Sequence, residues 1–515
     1  MSYNWEALNQ KTIELLNKGD YEGALTAAGK AVEAARDNGD LPHLALGLNN
    51  MGELYQTLGD FEKAEKTMLE SIEVFTQAFG AEHPECAMTL DSLAILYVTV
   101  GRYPDAEKLF RRELAIREVV QNAEHPDLVQ CLIGLSESLQ GQNRTTEARP
   151  YLERAVAIAE KDLGDNNPEL GPILMQMSEL QQAENQLEEA GSTIRRALKL
   201  YEDTIGPEHP AFGDAIGKLA ENYMARGVFQ PAESLLEQSI ALLRDCLSQD
   251  DPIIGQKIEK LAELYRITGQ SDKAEKPMLE ALEIYKKAYG EEHPAVAQLQ
   301  NDLGEHYYVL GKADKSKPLY EKALKTRETL LGPDHPSVAQ SLNDLGVLLG
   351  NEGKYDKAVP YHERALEIRR KRFGSHHLAV TESLDNLAAA YKGVNKLADA
   401  EKLLRESINL WSENMGPDHP ATAQAHFNLG SLLFSMNKFN ECEQELRKAE
   451  KSMIAQYGRE HQSLGPVYNA LSIVYDKLGH VPEARSYGSR FVQIMKKEME
   501  AQEAAEKYKN KGKKN

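Results

Sequence analysis

Proline falls at positions 42, 84, 126, 168, 210, 252, 294, 336 and 420, all multiples of 42, and only Leu378 and Gln462 break the series. Eleven marks in register without an insertion define a repeat architecture, in which each unit packs against its neighbours and the chain grows in one direction. Two further marks punctuate every unit. Seventeen residues after each mark stands Gly or Asn: Gly59, Gly101, Asn143, Asn185, Gly227, Gly269, Gly311, Gly353, Asn395, Asn437 and Gly479. These two residues tolerate the left-handed backbone that ends a helix. Four residues before each mark stands the same signal, Gly or Asn from Asn38 to Gly458, with Ser248 as the exception. The stops divide each period into a helix of about four turns and one of about five.

Between the stops, apolar residues recur at steps of three and four, as in Leu90, Leu93, Tyr97 and then Ala106, Leu109, Phe110, Leu114. This is the stripe of an amphipathic helix, not the alternation of a strand. One residue after the repeat leucine the side chain is small in every unit, from Gly52 and Ala94 to Gly430 and Ser472. The second helix repeats this at Ala64, Ala106, Ala148 and onward to Ala484. Small residues on both helices beside a short turn predict a tight antiparallel hairpin.

The pattern at Leu93, Ala94, Tyr97, Gly101, Tyr103 and Ala106 resembles the tetratricopeptide repeat, and it covers nearly the whole chain. With its 42-residue period and stretches such as Leu48-Asn49-Asn50-Met51-Gly52 and Gly332-Pro333-Asp334-His335-Pro336, it resembles the long-repeat branch typified by kinesin light chains. The resemblance implies an all-α, right-handed superhelical solenoid of about twelve hairpins. Residues 1–40 are an offset capping hairpin, 41–500 hold eleven tandem units in one solenoid, and 501–515 form a basic, disordered tail. A docking tag for an acidic partner is the alternative for that tail.

Composition narrows the work such a chain does. With 60 basic and 80 acidic residues the net charge is −20, a poor match for a phosphate backbone, so nucleic acid is not expected as a partner. No apolar run approaches the roughly 18 residues of a membrane span, and the first residues lack the pattern of a secretory signal. Cys86, Cys131, Cys246 and Cys442 are far apart with no CxxC, which points to a reducing, cytoplasmic setting without disulfides or zinc. No phosphate-binding loop, HExxH or GxSxG occurs, so no enzyme and no cofactor is expected.

Eight histidines, His83, His125, His209, His293, His335, His377, His419 and His461, precede the comb positions. Stacked helices lie roughly 8–10 Å apart, too far for a shared zinc with bonds of about 2 Å. Asn167 and Asp251 occupy the same slot, so the ladder reads as helix N-caps followed by proline at the first helical position. The tyrosines Tyr55, Tyr97, Tyr223, Tyr265, Tyr307, Tyr391 and Tyr475 read as packing between helices.

The resemblance places the concave surface on the first helices, with exposed positions two and one residues before the repeat leucine and two and five after it. Two after it stand Glu53, Glu137, Glu179, Glu221, Glu263 and Glu305, the last five at consecutive 42-residue steps. Like charges about 10 Å apart lie near one Debye length, so their potentials add in part and describe an acidic trough for a basic or neutral peptide. The alternative is a row of good helix formers on a wet face. Beyond Val347 the expected groove turns polar and aromatic, with Asn343, Asp385, Asn386, Lys392, Phe427, Asn428, Phe434 and Asn469. Phe427 and Phe434 are seven apart on one helix face, the arrangement of a binding anchor. Asn side chains suit a peptide backbone, and the kinesin-light-chain resemblance implies cargo-peptide binding through Asn49, Asn50, Asn343, Asn386, Asn428 and Asn469. No heptad coiled coil precedes the hairpins, and the middle groove is acidic, so a motor subunit is not expected. The function expected is a non-catalytic scaffold that binds peptide segments of partner proteins. A peptide-responsive sensor and a scaffold that self-associates are the alternatives.

Overall fold

A computed structural model of the chain describes the backbone of residues 5–512 and side chains except those of 17 and 501–512. The described residues form α-helices with no strand. They divide into two compact units, 1–270 and 271–515.

The first unit runs α1 (Trp5–Asn17), α2 (Tyr21–Asp37), α3 (Leu41–Thr57), α4 (Phe61–Phe79), α5 (Pro84–Thr99), α6 (Tyr103–Val120), α7 (Leu128–Gln140), α8 (Thr145–Leu163), α9 (Leu170–Ala183), α10 (Leu187–Thr204), α11 (Pro210–Ala225), α12 (Phe229–Cys246) and α13 (Pro252–Ile267). The second runs α14 (Ser271–Tyr289), α15 (Pro294–Val309), α16 (Ala313–Leu331), α17 (Pro336–Asn351), α18 (Tyr355–Phe373), α19 (Leu378–Gly393), α20 (Leu397–Met415), α21 (Pro420–Ser435), α22 (Phe439–Tyr457), α23 (Gly465–Lys477) and α24 (Val481–Gly512). Within each unit, consecutive helices pair as antiparallel hairpins that stack on the next. The tail read at 501–515 falls where the side chains, and for 513–515 the backbone, lie outside the described residues.

The two kinds of helix stop differ in chemistry. Inside the hairpin, Asn143, Asn185, Asn395 and Asn437 take φ of 58–62°, and glycines such as Gly59 and Gly311 take φ of 70–78°. Asn reaches this left-handed well at modest cost. Between hairpins, Gly80, Gly332 and Gly416 combine φ of 83–95° with ψ of 157–160°, a region essentially closed to side chains with a Cβ. The sequence reading treated Asn38 and Asn122 as equivalents of these glycines, and they are not. Asn38 stays right-handed and the turn passes to Gly39. At Asn122 and Ser248 the chain leaves the helix one residue earlier, at Gln121 and Leu247, with extended backbone.

The histidine ladder caps the helices. Nδ1 of His83, His209, His293, His335, His377, His419 and His461 accepts from the backbone N–H two residues on, at 3.1–3.3 Å. Several rings also stack on an aromatic four residues earlier, as in Phe79–His83 and Tyr289–His293, with centroids 4.6 and 4.3 Å apart. At His125 and Asn167 the capping bond forms, yet α7 and α9 begin only at Leu128 and Leu170. Pro126 and Pro168 therefore lie in a turn, not at the first helical position.

The small positions are close helix crossings. A Cβ on Gly346 would come within 2.5 Å of the His362 ring, and one on Gly430 within 2.9 Å of Leu446. The tyrosines tie successive hairpins together: the hydroxyls of Tyr97, Tyr307 and Tyr475 donate to Glu65, Glu275 and Glu443 at 2.6–2.9 Å.

Candidate functional site

The first helices carry the expected face, but its rows sit at different depths. The row two residues after the repeat leucine is accessible: Glu137, Glu179 and Glu305 are exposed, and Glu221 and Glu263 are half-buried. The row two residues before it varies in depth: Asn49, Asn301 and Asn343 are buried between neighbouring helices, Phe427 is half-buried and Asn469 is exposed. Asn343, expected in the groove, is 1% exposed. Its amide donates to Ser383 Oγ at 3.2 Å, and its Oδ1 lies 3.1 Å from His362 Nδ1. Asn49 is buried likewise, 3.4 Å from Ser92. These asparagines bridge one helix to the next and are unavailable to a peptide. Four residues advance a helix by about 40° beyond a full turn, which sets this row at the edge of the helix–helix seam, where the neighbouring side chains decide which members are covered. Asn386, Phe427, Asn428 and Phe434 are half-buried and Asn469 is exposed.

In the first unit the glutamate ladder is met by lysines. Lys218 Nζ lies 2.8 Å from Glu179. Lys257, whose side chain is almost wholly buried, reaches Asp214 at 2.8 Å and Glu221 at 3.3 Å. Lys260 lies 2.8 Å from Glu263. Burial lowers the Lys218 pKa, but Glu221 and Glu179 outweigh it and hold the group above its ordinary value. Glu137 differs. No cation stands within ion-pair distance of it among the described residues, and burial, aided by the Glu179 charge, raises its pKa. The lysines were legible in the sequence, because Lys218 and Lys260 repeat at 42 residues in the row just before the leucine.

Beside Glu137 the late starts of α7 and α9 leave a cavity of about 690 Å3, lined by Val129, Ile133, Pro172 and Ile173 together with Asp162 and Glu169. Ile133 and Glu137 lie one turn apart on α7 and share a face.

The second unit presents a different surface. On α21 and α23, Phe427, Phe434, Ile473 and Val474 line an apolar cavity of about 190 Å3 floored by Cys442 and Leu446. The missing side chain of Gly430 helps to keep it open. On α17, α18 and α19 a second cavity, about 490 Å3, is lined by Asn351, Tyr355, His362, Asn386 and Lys392. Burial pushes His362 down to about 4, so its ring is neutral near pH 7. Lys392 Nζ donates to Ser431 Oγ at 2.9 Å. Burial lowers its pKa, and no carboxylate pairs with it among the described residues. Ser431 also lines the apolar cavity, so the two pockets adjoin at this bond.

Repeated helical hairpins with accessible first-helix faces define a class of interaction scaffold. The tetratricopeptide repeat model matches residues 43–118, 99–161, 256–308, 296–371, 345–410 and 380–453, more than half of the chain. The chain belongs to the tetratricopeptide repeat family, with a long unit of the kinesin-light-chain-like type. No curated protein matches it. Among solved structures, BtubC (BKLC) from P. vanneervenii is similar at 28% identity, over 45% of this chain and 92% of its own, with a TM-score of 0.40. A kinesin light chain candidate of Podosopora anserina with nearly identical TPR-like repeats is similar at 27% identity, over 40% of this chain and 98% of its own, with a TM-score of 0.36. The signal transduction ATPase with numerous domains and a tetratricopeptide repeat sensor, from Pyrococcus horikoshii, is similar at 18% identity, over 70% of this chain and 52% of its own, with a TM-score of 0.49. No helix among the described residues is long and apolar enough to cross a membrane.

Proposed function

We propose that this protein is a non-catalytic scaffold whose second unit holds a peptide segment of a partner protein by an apolar anchor side chain. The observation that carries the reading is the open apolar cavity under Phe427 and Phe434, with Ile473 exposed at its side. Aromatic walls around a desolvated pocket are where binding energy concentrates. Asn386, Asn428 and Asn469 remain at the surface to bond an extended backbone, and Lys392 supplies a cation beside the anchor. In the first unit Glu53 and Glu137 keep the acidic character expected of the ladder among the described residues, because lysines neutralise Glu179, Glu221 and Glu263. Glu305 belongs to the second unit and is exposed there.

Affinity capture coupled to mass spectrometry tests this. Phe427→Ala with Phe434→Ala is expected to remove the partners that the unaltered chain captures, while Glu137→Lys leaves them in place. Capture that survives the double aromatic change, in a protein that keeps its helical content, overturns the assignment.

A further inference from the structure

We propose that the outer face of α24 is a docking surface for a second copy of this chain, centred on Val492 and Met495. In the interior hairpins the second helix carries an apolar residue at most of these places, with Glu450 the exception at the first and Arg117, Arg327 and Arg369 at the second, and the first helix of the next hairpin packs over it. At the Val492 place Leu114, Ile240, Leu282, Leu366 and Ile408 are 4–8% exposed, and Ile72, Val156, Leu198 and Leu324 are half-buried. The Met495 place is taken by Leu243, Tyr285 and Met453, 0–6% exposed. The covering is explicit at Leu366 on α18, which packs in one cluster with Val380, Leu384 and Leu387 of α19.

On α24 the same two places keep apolar side chains with no cover among the described residues. Val492 is 63% exposed, Met495 39%, and Met499 one turn further 60%. The helix runs on to Gly512, so no further hairpin folds back over this face within the described chain. An end hairpin that faces water ordinarily carries a polar outer surface. At the first hairpin α1 is mainly polar at its surface, exposing Glu6, Gln10, Lys11 and Glu14 beside a single large apolar side chain, Ile13. The α24 face is thus a continuation of the repeated hairpin-to-hairpin interface.

Two considerations select a second copy in an α24-to-α24 arrangement. The polar surface of α1 is a poor complement, which disfavours head-to-tail stacking, whereas a two-fold contact uses one patch twice and closes on itself. Charge agrees. Against the −20 of the chain, residues 481–500 hold four basic and three acidic side chains, so two copies of this segment repel little. Methionine at two of three positions adapts its shape to a copy of itself.

The experiment is sedimentation velocity with the full chain over a wide concentration range. The expected result is a monomer–dimer equilibrium for the unaltered protein, weakened at least tenfold by Val492→Lys with Met495→Lys. Both side chains already face water, so the variant should keep its thermal midpoint. Met495→Cys in a Cys246→Ser background should form a disulfide-linked dimer under mild oxidation. A monomer at every concentration, or a dimer indifferent to the two lysines, overturns the proposal.

Discussion

The first unit and the second are built from the same hairpin, yet their accessible faces have opposite characters. In the first, acidic side chains on the groove row are matched by Lys218, Lys257 and Lys260, and the charge is largely spent within the protein. In the second, an apolar cavity adjoins Lys392, which has no carboxylate partner among the described residues. A repeat fixes where side chains stand but leaves open what they meet. The row before the leucine decides the matter: Lys at 218 and 260 neutralises one face, and Asn at 386 and 428 leaves the other uncommitted.

The cores differ as well, and the largest expected effect lies there. Glu113 occupies a place on α6 where the other interior hairpins have Ala or Ser, as at Ser71, Ala155, Ala197 and Ser239 in the first unit and Ala281, Ala323, Ala365, Ser407 and Ala449 in the second. It is 1% exposed, bonded to Arg117 at 2.7 Å, and its second oxygen has no partner. Burial, reinforced by Asp91 and opposed by Arg117, pushes it up to about 7. A carboxyl raised in the folded state favours the protonated native form. Its stabilising share is full below the unfolded value near 4.5 and is lost as pH rises through about 7. The loss amounts to about 3 kcal/mol at most. Glu113→Gln should therefore flatten the fall in urea midpoint between pH 5 and pH 8. An unchanged slope would show that Glu113 does not titrate with folding in this range.

Next in size, Phe427→Ala with Phe434→Ala should weaken partner binding about tenfold or more, measured by titration with a captured partner. Asn343→Ala probes the correction to the groove. It should cost about 1 kcal/mol or somewhat more in denaturant stability, the price of breaking two buried hydrogen bonds, and leave partner affinity alone. A clear affinity loss without a stability loss would return Asn343 to the binding face. The smallest effect concerns the masked ladder. Lys218→Met with Lys260→Met should raise the affinity of a labelled oligolysine peptide about threefold at low salt and lose that gain near 1 M salt. If the gain matches that of a control change on the second unit, the glutamates are only a wet helix face.

Most of the architecture was legible from residue identities. The 42-residue comb, the helix stops, the histidine caps and the small crossings each follow from local backbone chemistry or from one-residue sterics. Even there, φ and ψ separated two kinds of stop that look alike in sequence, since glycine alone enters the region used by Gly332, while Asn143 serves in the left-handed well. The site was less legible. Phe427, Phe434, Asn386, Asn428 and the glutamates were found at accessible or partly accessible positions because helical phase places them on one face. Asn343 was misplaced because its row, which also holds Phe427 and Asn469, lies at the edge of the helix–helix seam, and only the packed neighbours, here Ser383 and His362, show which members are covered. The partners of a charge are likewise set by distances between residues some 40 positions apart. The sequence by itself determined the repeat, its hairpins and the row on which a partner would meet the chain. Tertiary structure decided which charges on that row are already paired, where cavities open, and that Val492 and Met495 stand uncovered, because pairing and covering depend on what packs across the gap between helices.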